Sequence, residues 1–320
     1  MAGKIMRDIT YPVDLVPPDI SPYRKGNTGL DYVTTFDSGK PGPHVLVNAL
    51  THGNEICGAI AVDGVFRSGV RPTRGKLSLS FANWAAFQSF DPRNPTASRF
   101  VDEDFNRLWD PATLGGPRKS TELARARAMR PFIDTVDMLL DIHSMQHATE
   151  ALSLAGLLDK SLALAQAIGA PRLIVRDEGH AAGRRLRDYA GFGDPASPKV
   201  ASLIECGQHW ERASADVAHD VTWRFLAASG ILPPAETERQ RARPPVAQRV
   251  ITVTHAVTIE NDRFEFTADY RGLEVIPKAG TVLGRDGSRE VRTPYDDCVL
   301  IMPSRRLTRG QTAVRLGRFS

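Results

Sequence analysis

Four ionisable side chains follow apolar segments of the sequence, at positions where a metal ion or an acid–base pair could be assembled. His52 and Glu55 stand in Thr-His-Gly-Asn-Glu, directly after the apolar run 44–50. His143 and Glu205 stand at the ends of two later apolar runs. A catalytic zinc ion takes three protein ligands from imidazole and carboxylate groups and leaves one position for water. These residue types therefore fit metal binding or general acid–base catalysis.

The His-x-x-Glu spacing of His52 and Glu55 can point both side chains at one ion if the two residues lie on a tight turn. A third ligand must then come from elsewhere in the chain, and His143 offers one. A histidine at a strand end is also commonly a surface residue without any ligand, so the pair alone leaves both interpretations open. The presence of all four groups at strand ends favours a functional site.

The segments that carry these groups predict an α/β fold. Apolar or alternating runs indicate strands, and helical segments separate them. Such alternation is typical of a mixed, largely parallel sheet flanked by helices. Ligands of open α/β sheets bind beyond the carboxyl ends of the strands, so the four groups should meet at one edge. The predicted strands are 44–50, 76–83, 138–143 and 200–207.

The C-terminal quarter of the sequence has a different pattern. Residues 236–248 are rich in Pro and charge, which is typical of a linker. From residue 249 onward, only short alternating segments occur, punctuated by Gly and Pro. We therefore predict an α/β domain over residues 1–235, a linker over 236–248 and a small all-β domain over 249–320.

Four motifs, in chain order THGNE, DFNR, LDIHS and LIECG, resemble the succinylglutamate desuccinylase/aspartoacylase family, which belongs to the zinc carboxypeptidase-like superfamily. The resemblance extends to the C-terminal end, YDDCVLIMP…GQTAVRLGR. It implies a zinc carboxypeptidase-like α/β fold followed by a β domain. It also implies zinc-dependent hydrolysis of an amide bond.

The resemblance implies one zinc ion per chain and a role for each of seven residues. Zinc lowers the pKa of bound water, and a carboxylate can take the proton and later protonate the leaving amine. An arginine binds a carboxylate through two parallel hydrogen bonds, which a lysine cannot do. The implied roles are zinc ligands for His52, Glu55 and His143, general base for Glu205, carbonyl polarisation for Arg99, and binding of a substrate carboxylate for Asn106 and Arg107.

The predicted activity is removal of the acyl group from a small carboxylate-bearing amide such as an N-acyl amino acid. A zinc metallocarboxypeptidase acting on peptides and a non-enzymatic binding protein on the same scaffold are the alternatives. Aspartoacylases are expected to use a tyrosine of the C-terminal domain, and the stretch PSRRLTRGQ has none. Tyr270 and Tyr295 lie earlier and do not align with it, so N-acetylaspartate itself is not predicted.

Several further polar residues lie near these motifs. Asp141 could orient a metal ligand or cap a turn, and both interpretations stay open. Ser144 is predicted to be a turn or cap residue, His147 a surface or pocket-wall residue, and His180 a solvated loop residue. The role of His209, four residues after Glu205, stays open.

The composition of the 320-residue chain excludes several classes of protein. Its 42% hydrophobic residues argue against disorder, and no apolar run is long enough to span a membrane. Only three cysteines occur, which argues against a disulfide framework and favours the cytoplasm. Cys57 and Cys206, close to the motifs, are predicted to be buried inert thiols. The N-terminus shows no apolar segment typical of a secretory signal.

The net charge of +4 does not indicate nucleic-acid binding, because it is concentrated at one end of the chain. Residues 301–320 contain five arginines and neither lysine nor an acidic residue. This excess could draw anionic substrates towards the site or keep a terminal strand soluble. The expected partner is a small carboxylate-bearing molecule, without nucleic acid or membrane, and the chain could form a homo-oligomer.

Overall fold

The computed structural model describes residues 10–179, 182–241, 244 and 246–320. His180, predicted to be a solvated loop residue, lies outside the described residues. Residues 1–9, the start of the segment predicted to lack a secretory signal, also lie outside them. Parts of the predicted linker, residues 242–243 and 245, also lie outside. Among the described residues, none of the helices combines the length and the apolar surface that a membrane crossing requires.

The described residues form a large mixed sheet with helices on both faces. Its strands lie in the order β1-β3-β2-β4-β7-β5-β6-β8-β14-β13-β10. The central pairs β2–β3, β2–β4 and β4–β7 are parallel, as predicted. The strands are β1 Val33–Asp37, β2 His44–Ala49, β3 Lys76–Phe81, β4 Met138–Met145, β5 Leu152–Leu154, β6 Leu173–Arg176, β7 Val200–Gln208, β8 Arg249–Thr258, β9 Phe264–Phe266, β10 Val275–Ile276, β11 Val282–Asp286, β12 Arg289–Arg292, β13 Cys298–Ile301 and β14 Thr312–Phe319.

Two helix ends show caps that the sequence supplies. The Ser120 side chain accepts a hydrogen bond from the Leu123 N–H at the start of α4. Gly69, with φ 69°, ends α1 in the left-handed conformation that favours glycine. The helices are α1 Ile56–Ser68, α2 Trp84–Phe87, α3 Pro111–Gly115, α4 Thr121–Ile133, α5 Asp159–Ile168, α6 Arg212–Ser229 and α7 Pro234–Gln240.

Strand β2 shows why the central strands are continuously apolar. All six of its residues are buried, because helices cover both faces of the sheet. Val45 and Val47 point to one face and join the core formed with α1, α5 and α6. Leu46 points to the other face and joins the core formed with α4. This burial on both sides fixes where β2 ends and where the residues after it emerge.

The C-terminal strands continue the large sheet. Strand β8 pairs in parallel with β6, and β14 pairs with β8. A second sheet in the order β12-β11-β9 shares a core with this end of the large sheet, around Phe264, Leu283 and Val314. The predicted α/β fold class with an added β unit is therefore confirmed. The structure also places helix α7 across the start of the predicted linker, and the domain limits themselves stay a prediction.

Glu122, at the start of α4, holds the segment that leads into the DFNR motif. Its side chain is fully buried. One carboxylate oxygen accepts hydrogen bonds from the Val101 N–H (2.6 Å) and the Asn83 side-chain amide (3.0 Å). The other accepts from the N–H groups of Asp102 (3.0 Å) and Glu103 (3.3 Å). A single carboxylate thus stabilises a loop that has no strand to pair with.

We expect Glu122→Gln to lower the free energy of unfolding by about 3 kcal/mol, because an amide NH₂ group would face backbone N–H donors in a buried space. Urea unfolding measures the change. Glu150→Gln is the matched control, since Glu150 forms only an exposed ion pair with Arg172 and should change stability by less than about 0.5 kcal/mol. An equal effect of both substitutions would contradict the role of Glu122.

Candidate active site

A cavity of about 810 Å³ lies beyond the carboxyl ends of the central strands. Its wall is completed by residues 301–315 of the C-terminal region. The cavity is within the size range of small-molecule sites. The structure brings all seven residues predicted from the sequence to this one cavity: His52, Glu55, Arg99, Asn106, Arg107, His143 and Glu205.

The His52, Glu55 and His143 side chains converge on one point. Their potential ligand atoms all lie within 4.8 Å of one another, and all three residues are buried. His52 Nδ1 lies 2.7 Å from Glu55 Oε1, and His143 Nδ1 lies 2.8 Å from Glu55 Oε2. Two imidazoles and one carboxylate form a donor set suited to a divalent transition metal such as zinc.

Gly53 lies in the turn after β2, between His52 and Glu55, where the neighbouring backbone leaves no room for a side chain. A Cβ at this position would lie 2.4 Å from both the Phe87 backbone nitrogen and the Ser98 carbonyl oxygen, which is too close for any side chain. The Gly53 N–H also donates to the Arg99 carbonyl at 3.1 Å. The glycine of the THGNE motif therefore lets the Arg99 segment pack directly against the turn.

Asp141 contacts the outer nitrogen of His143. Its Oδ2 lies 2.9 Å from His143 Nε2, and its Oδ1 accepts hydrogen bonds from Asn48 and Thr51, each at 2.8 Å. Burial raises the pKa of Asp141, but the charge of His143 and these hydrogen bonds outweigh burial and lower it. Of the two interpretations that the sequence left open, the contacts favour the one in which Asp141 orients His143.

Asp104 is a site residue that the sequence reasoning missed. Its Oδ1 lies 3.0 Å from His52 Nε2, and its Oδ2 accepts a hydrogen bond from Arg99 at 3.1 Å. Burial raises its pKa, but the charges of His52 and Arg99 outweigh that effect and hold the pKa well below the usual range. Asp104 opens the DFNR motif, two residues before Asn106, and this proximity was the available signal.

Glu205 lies on β7 directly opposite His143 on β4. Burial raises its pKa to about 8, against the opposing effects of the positive charges of His143 and Arg99. Among the described residues, its buried Oε2 has no hydrogen-bond partner. A carboxyl group with a free oxygen and a raised pKa, beside the three converging side chains, is suited to take and return a proton.

Asn106 and Arg107 both lie on the cavity wall, where Asn106 is partly hydrogen-bonded and Arg107 carries a charge. The Asn106 side-chain oxygen accepts a hydrogen bond from the Leu186 N–H at 2.9 Å, so its amide N–H groups are the part left for a ligand. The pKa of Arg107 is lowered to about 10, mainly by burial and in part by the nearby Arg185 and Arg315, while Asp104 opposes the shift. Arg107 therefore stays charged at neutral pH in a positively charged neighbourhood.

A buried cluster of charges stands beside Arg107. Arg185 pairs with Asp177 at 3.1 Å and with Asp188 at 2.7 Å. Arg315, from β14, lies 3.3 Å from the same Asp177 carboxylate. Arg187 shares Asp188 at 2.7 Å. Three arginines thus contact two carboxylates, and Arg185 and Arg315 of this cluster line the cavity.

The remaining sequence predictions have mixed outcomes. His147 lies on the cavity wall, one of the two positions predicted for it. Cys57 and Cys206 are free and buried, as predicted. The prediction for Ser144 is wrong, because it lies within β4 and bonds His209 instead of forming a turn or cap. Strand β4 continues two residues beyond His143, and the sequence pattern of these two residues does not indicate a strand.

A tyrosine of the C-terminal region reaches the cavity after all. Tyr270 lines it, and its hydroxyl lies 3.0 Å from the Thr267 hydroxyl. The sequence motifs could not place Tyr270 at the site, because it lies in a loop before β10 and far in sequence from the stretch PSRRLTRGQ. Arg305, Arg306 and Arg315 of the arginine-rich end also line the cavity.

Solved structures of other proteins share this fold. A succinylglutamate desuccinylase from Vibrio cholerae has a TM-score of 0.64 and 16% identity, over 90% of this chain and 86% of that one. A succinylglutamate desuccinylase/aspartoacylase from Rhodobacter sphaeroides has a TM-score of 0.63 and 19% identity, over 91% and 90%. A product-bound ectoine utilization protein from Ruegeria pomeroyi has a TM-score of 0.62 and 18% identity, over 89% and 88%.

Comparison with curated protein sequences gave no match. The sequence model of the succinylglutamate desuccinylase/aspartoacylase catalytic domain, in contrast, matches residues 41–216. This range is more than half of the chain and contains all seven residues predicted for the site. The chain therefore belongs to the succinylglutamate desuccinylase/aspartoacylase family.

Proposed function

We propose that the protein is a zinc-dependent amidohydrolase that removes the acyl group from a small carboxylate-bearing amide such as an N-acyl amino acid. The observation that carries the proposal is the convergence of His52, Glu55 and His143 beside Glu205, in a cavity lined with arginines. The family assignment supports a hydrolase acting on amides. The cytoplasmic location and a homo-oligomeric state stay predictions.

The donor set fits a zinc ion held by His52, Glu55 and His143. Both imidazoles present Nδ1 to Glu55, while their Nε2 atoms face the carboxylates of Asp104 and Asp141. Carboxylates placed in this way fix the tautomer of a ligating histidine and increase its basicity. When bound, the zinc ion would supply a Lewis acid and lower the pKa of a water molecule.

Glu205 supplies the proton transfer that amide hydrolysis requires. Its raised pKa, about 8, lies close to neutral pH, where a carboxyl group can both accept and return a proton. In the proposed reaction it takes a proton from the attacking water and delivers it to the nitrogen of the leaving amine. One residue can do both, because the two transfers occur in sequence.

Arg99 stabilises the negative charge that develops on the carbonyl oxygen. Its guanidinium group is held by Asp104 at 3.1 Å and lies 3.5 Å from Glu55 Oε1. A fixed cation next to the reacting carbonyl costs little reorganisation when the oxyanion forms. The Asp104 contact thus keeps Arg99 next to the proposed metal ligands.

Arg107 and the Asn106 amide group bind the substrate carboxylate. The guanidinium groups of Arg185 and Arg315 line the same cavity and favour an anionic molecule there. Residues between 301 and 315 close one side of the cavity, which favours a small substrate. A metallocarboxypeptidase would need an open groove for the peptide chain. Solved structures of this fold include proteins named for succinylglutamate and for ectoine utilization, and both names refer to small molecules.

Zinc content and chelation test the metal dependence. We expect the purified protein to hold about one zinc ion per chain, since one donor set is present. Hydrolysis of N-acetyl and N-succinyl amino acids should stop after dialysis against a chelator and return on adding zinc. A folded protein without stoichiometric zinc would favour the binding-protein alternative.

Glu205→Gln should leave zinc bound but lower kcat by at least about 10³-fold, because the amide cannot accept the proton from water. Steady-state kinetics and metal analysis of the same preparation measure the two effects. The exposed Glu150 provides the control variant Glu150→Gln, which should retain wild-type kcat. A near-wild-type rate for Glu205→Gln would show that another group is the base.

Arg107→Lys should raise KM by about tenfold and change kcat less, because an ammonium group cannot form the two parallel hydrogen bonds of a guanidinium group. Kinetics with an N-acyl amino acid and with the corresponding N-acyl amine, which lacks the carboxylate, separate the effects. The amine substrate should be insensitive to the substitution. Equal losses for both substrates would argue against carboxylate binding by Arg107.

A further inference from the structure

His209 lies on the wall of the catalytic cavity and has no role in the mechanism described above. It follows β7, the strand that carries Glu205. Gly207, with φ 107°, breaks the regular alternation of that strand, and the His209 N–H donates to the Met145 carbonyl at 2.8 Å. This turn of the backbone brings both Glu205 and His209 to the same cavity.

One nitrogen of the His209 ring is held by Ser144. The Ser144 hydroxyl lies 2.8 Å from Nδ1. A serine hydroxyl can donate to an imidazole nitrogen, and we take Ser144 as the donor to Nδ1. Nδ1 then acts as the acceptor and Nε2 carries the proton. Since Nδ1 is occupied, Nε2 is the polar ring atom available to a molecule in the cavity.

Burial, more than the neighbouring charges, keeps the His209 ring neutral. Burial is the largest effect and lowers the pKa to about 3. Glu55 opposes this effect, while the positive charges of Arg99, His52 and His143 reinforce it. A neutral ring cannot hold the proton that Glu205 must transfer. It can still donate a hydrogen bond, as a neutral imidazole does when it polarises a substrate carbonyl in other enzymes.

We propose that His209 is a further catalytic residue, whose Nε2–H donates a hydrogen bond to the substrate oxygen that gains negative charge during attack on the amide. The proposal rests on the proposed amide hydrolysis. No proton is transferred in this step, since Nε2 keeps its hydrogen throughout. His209 would thus complement Arg99 by adding a neutral donor from a different element of the fold.

Two substitutions separate the hydrogen bond from the volume of the ring. His209→Leu fills the space without a donor, and we expect kcat/KM for N-acyl amino acids to fall by about 10²-fold. His209→Gln places an amide N–H near the position of Nε2, and we expect it to restore activity to within about tenfold of wild type. His219→Leu, on α6 and away from the cavity lining, is the matched control and should change nothing.

Metal content and melting temperature must be measured for every variant, so that a lost fold is not mistaken for a lost donor. A folded, zinc-loaded His209→Leu variant with wild-type kcat/KM would overturn the proposal, as would equal losses for the Leu and Gln variants. Absence of any hydrolysis by the wild type would contradict the proposed function itself. Hydrolysis that is insensitive to His209→Leu would contradict this inference alone.

The tautomer of His209 can be measured without turnover. In ¹⁵N-histidine-labelled protein, the His209 ring should show a protonated Nε2 and an unprotonated Nδ1. Ser144→Ala removes the hydroxyl that holds Nδ1, so the ring should become a mixture of tautomers and kcat/KM should fall by a smaller factor than in His209→Leu. A protonated Nδ1 in the wild type would overturn the proposal, because Nε2 could then only accept hydrogen bonds.

Discussion

The site depends on one buried carboxylate, that of Glu55, placed between the imidazoles of His52 and His143. A buried charge is costly unless opposite charges or hydrogen bonds compensate it. Here the two imidazoles lie within 2.8 Å of it, and burial, which raises the pKa of Glu55, is outweighed by their charges. The surrounding structure must therefore hold both rings close to this carboxylate.

Two neighbouring parallel strands meet this requirement. Strands β2 and β4 are adjacent in the sheet, so the residues that follow β2 and those at the end of β4 emerge side by side. The outer nitrogens of the two rings then meet separate carboxylates, Asp104 and Asp141. Asp141 lies within β4 and Asp104 in the irregular segment before Phe105, so the two rings are held by different parts of the chain.

The strands and the groups at their ends were predictable, because burial on both faces leaves an apolar signature and because parallel strands place their carboxyl ends together. The role of Asp104 was not predictable, because it depends on the path of an irregular segment. Glu122, at the start of α4, holds that segment in place. Tyr270 was named but could not be placed at the site, because the loop after β9 has no periodicity. The continuity of the sheet through β6 and β8 was also hidden, because pairing between strands far apart in sequence leaves no local pattern.

The arginines of residues 301–320 differ in burial, which bears on the two uses predicted for their charge. Arg309 and Arg318 are exposed and can keep the terminal segment soluble, which was one of the two predicted uses. Arg315 is buried beside Asp177, where solubility is irrelevant. Arg315 and Arg185 both contact the Asp177 carboxylate, and both line the cavity, so an anion bound there would lie near two guanidinium groups. Both predicted uses of the terminal charge excess therefore stay predictions, solubility for the exposed Arg309 and Arg318 and attraction of an anion for the buried Arg315.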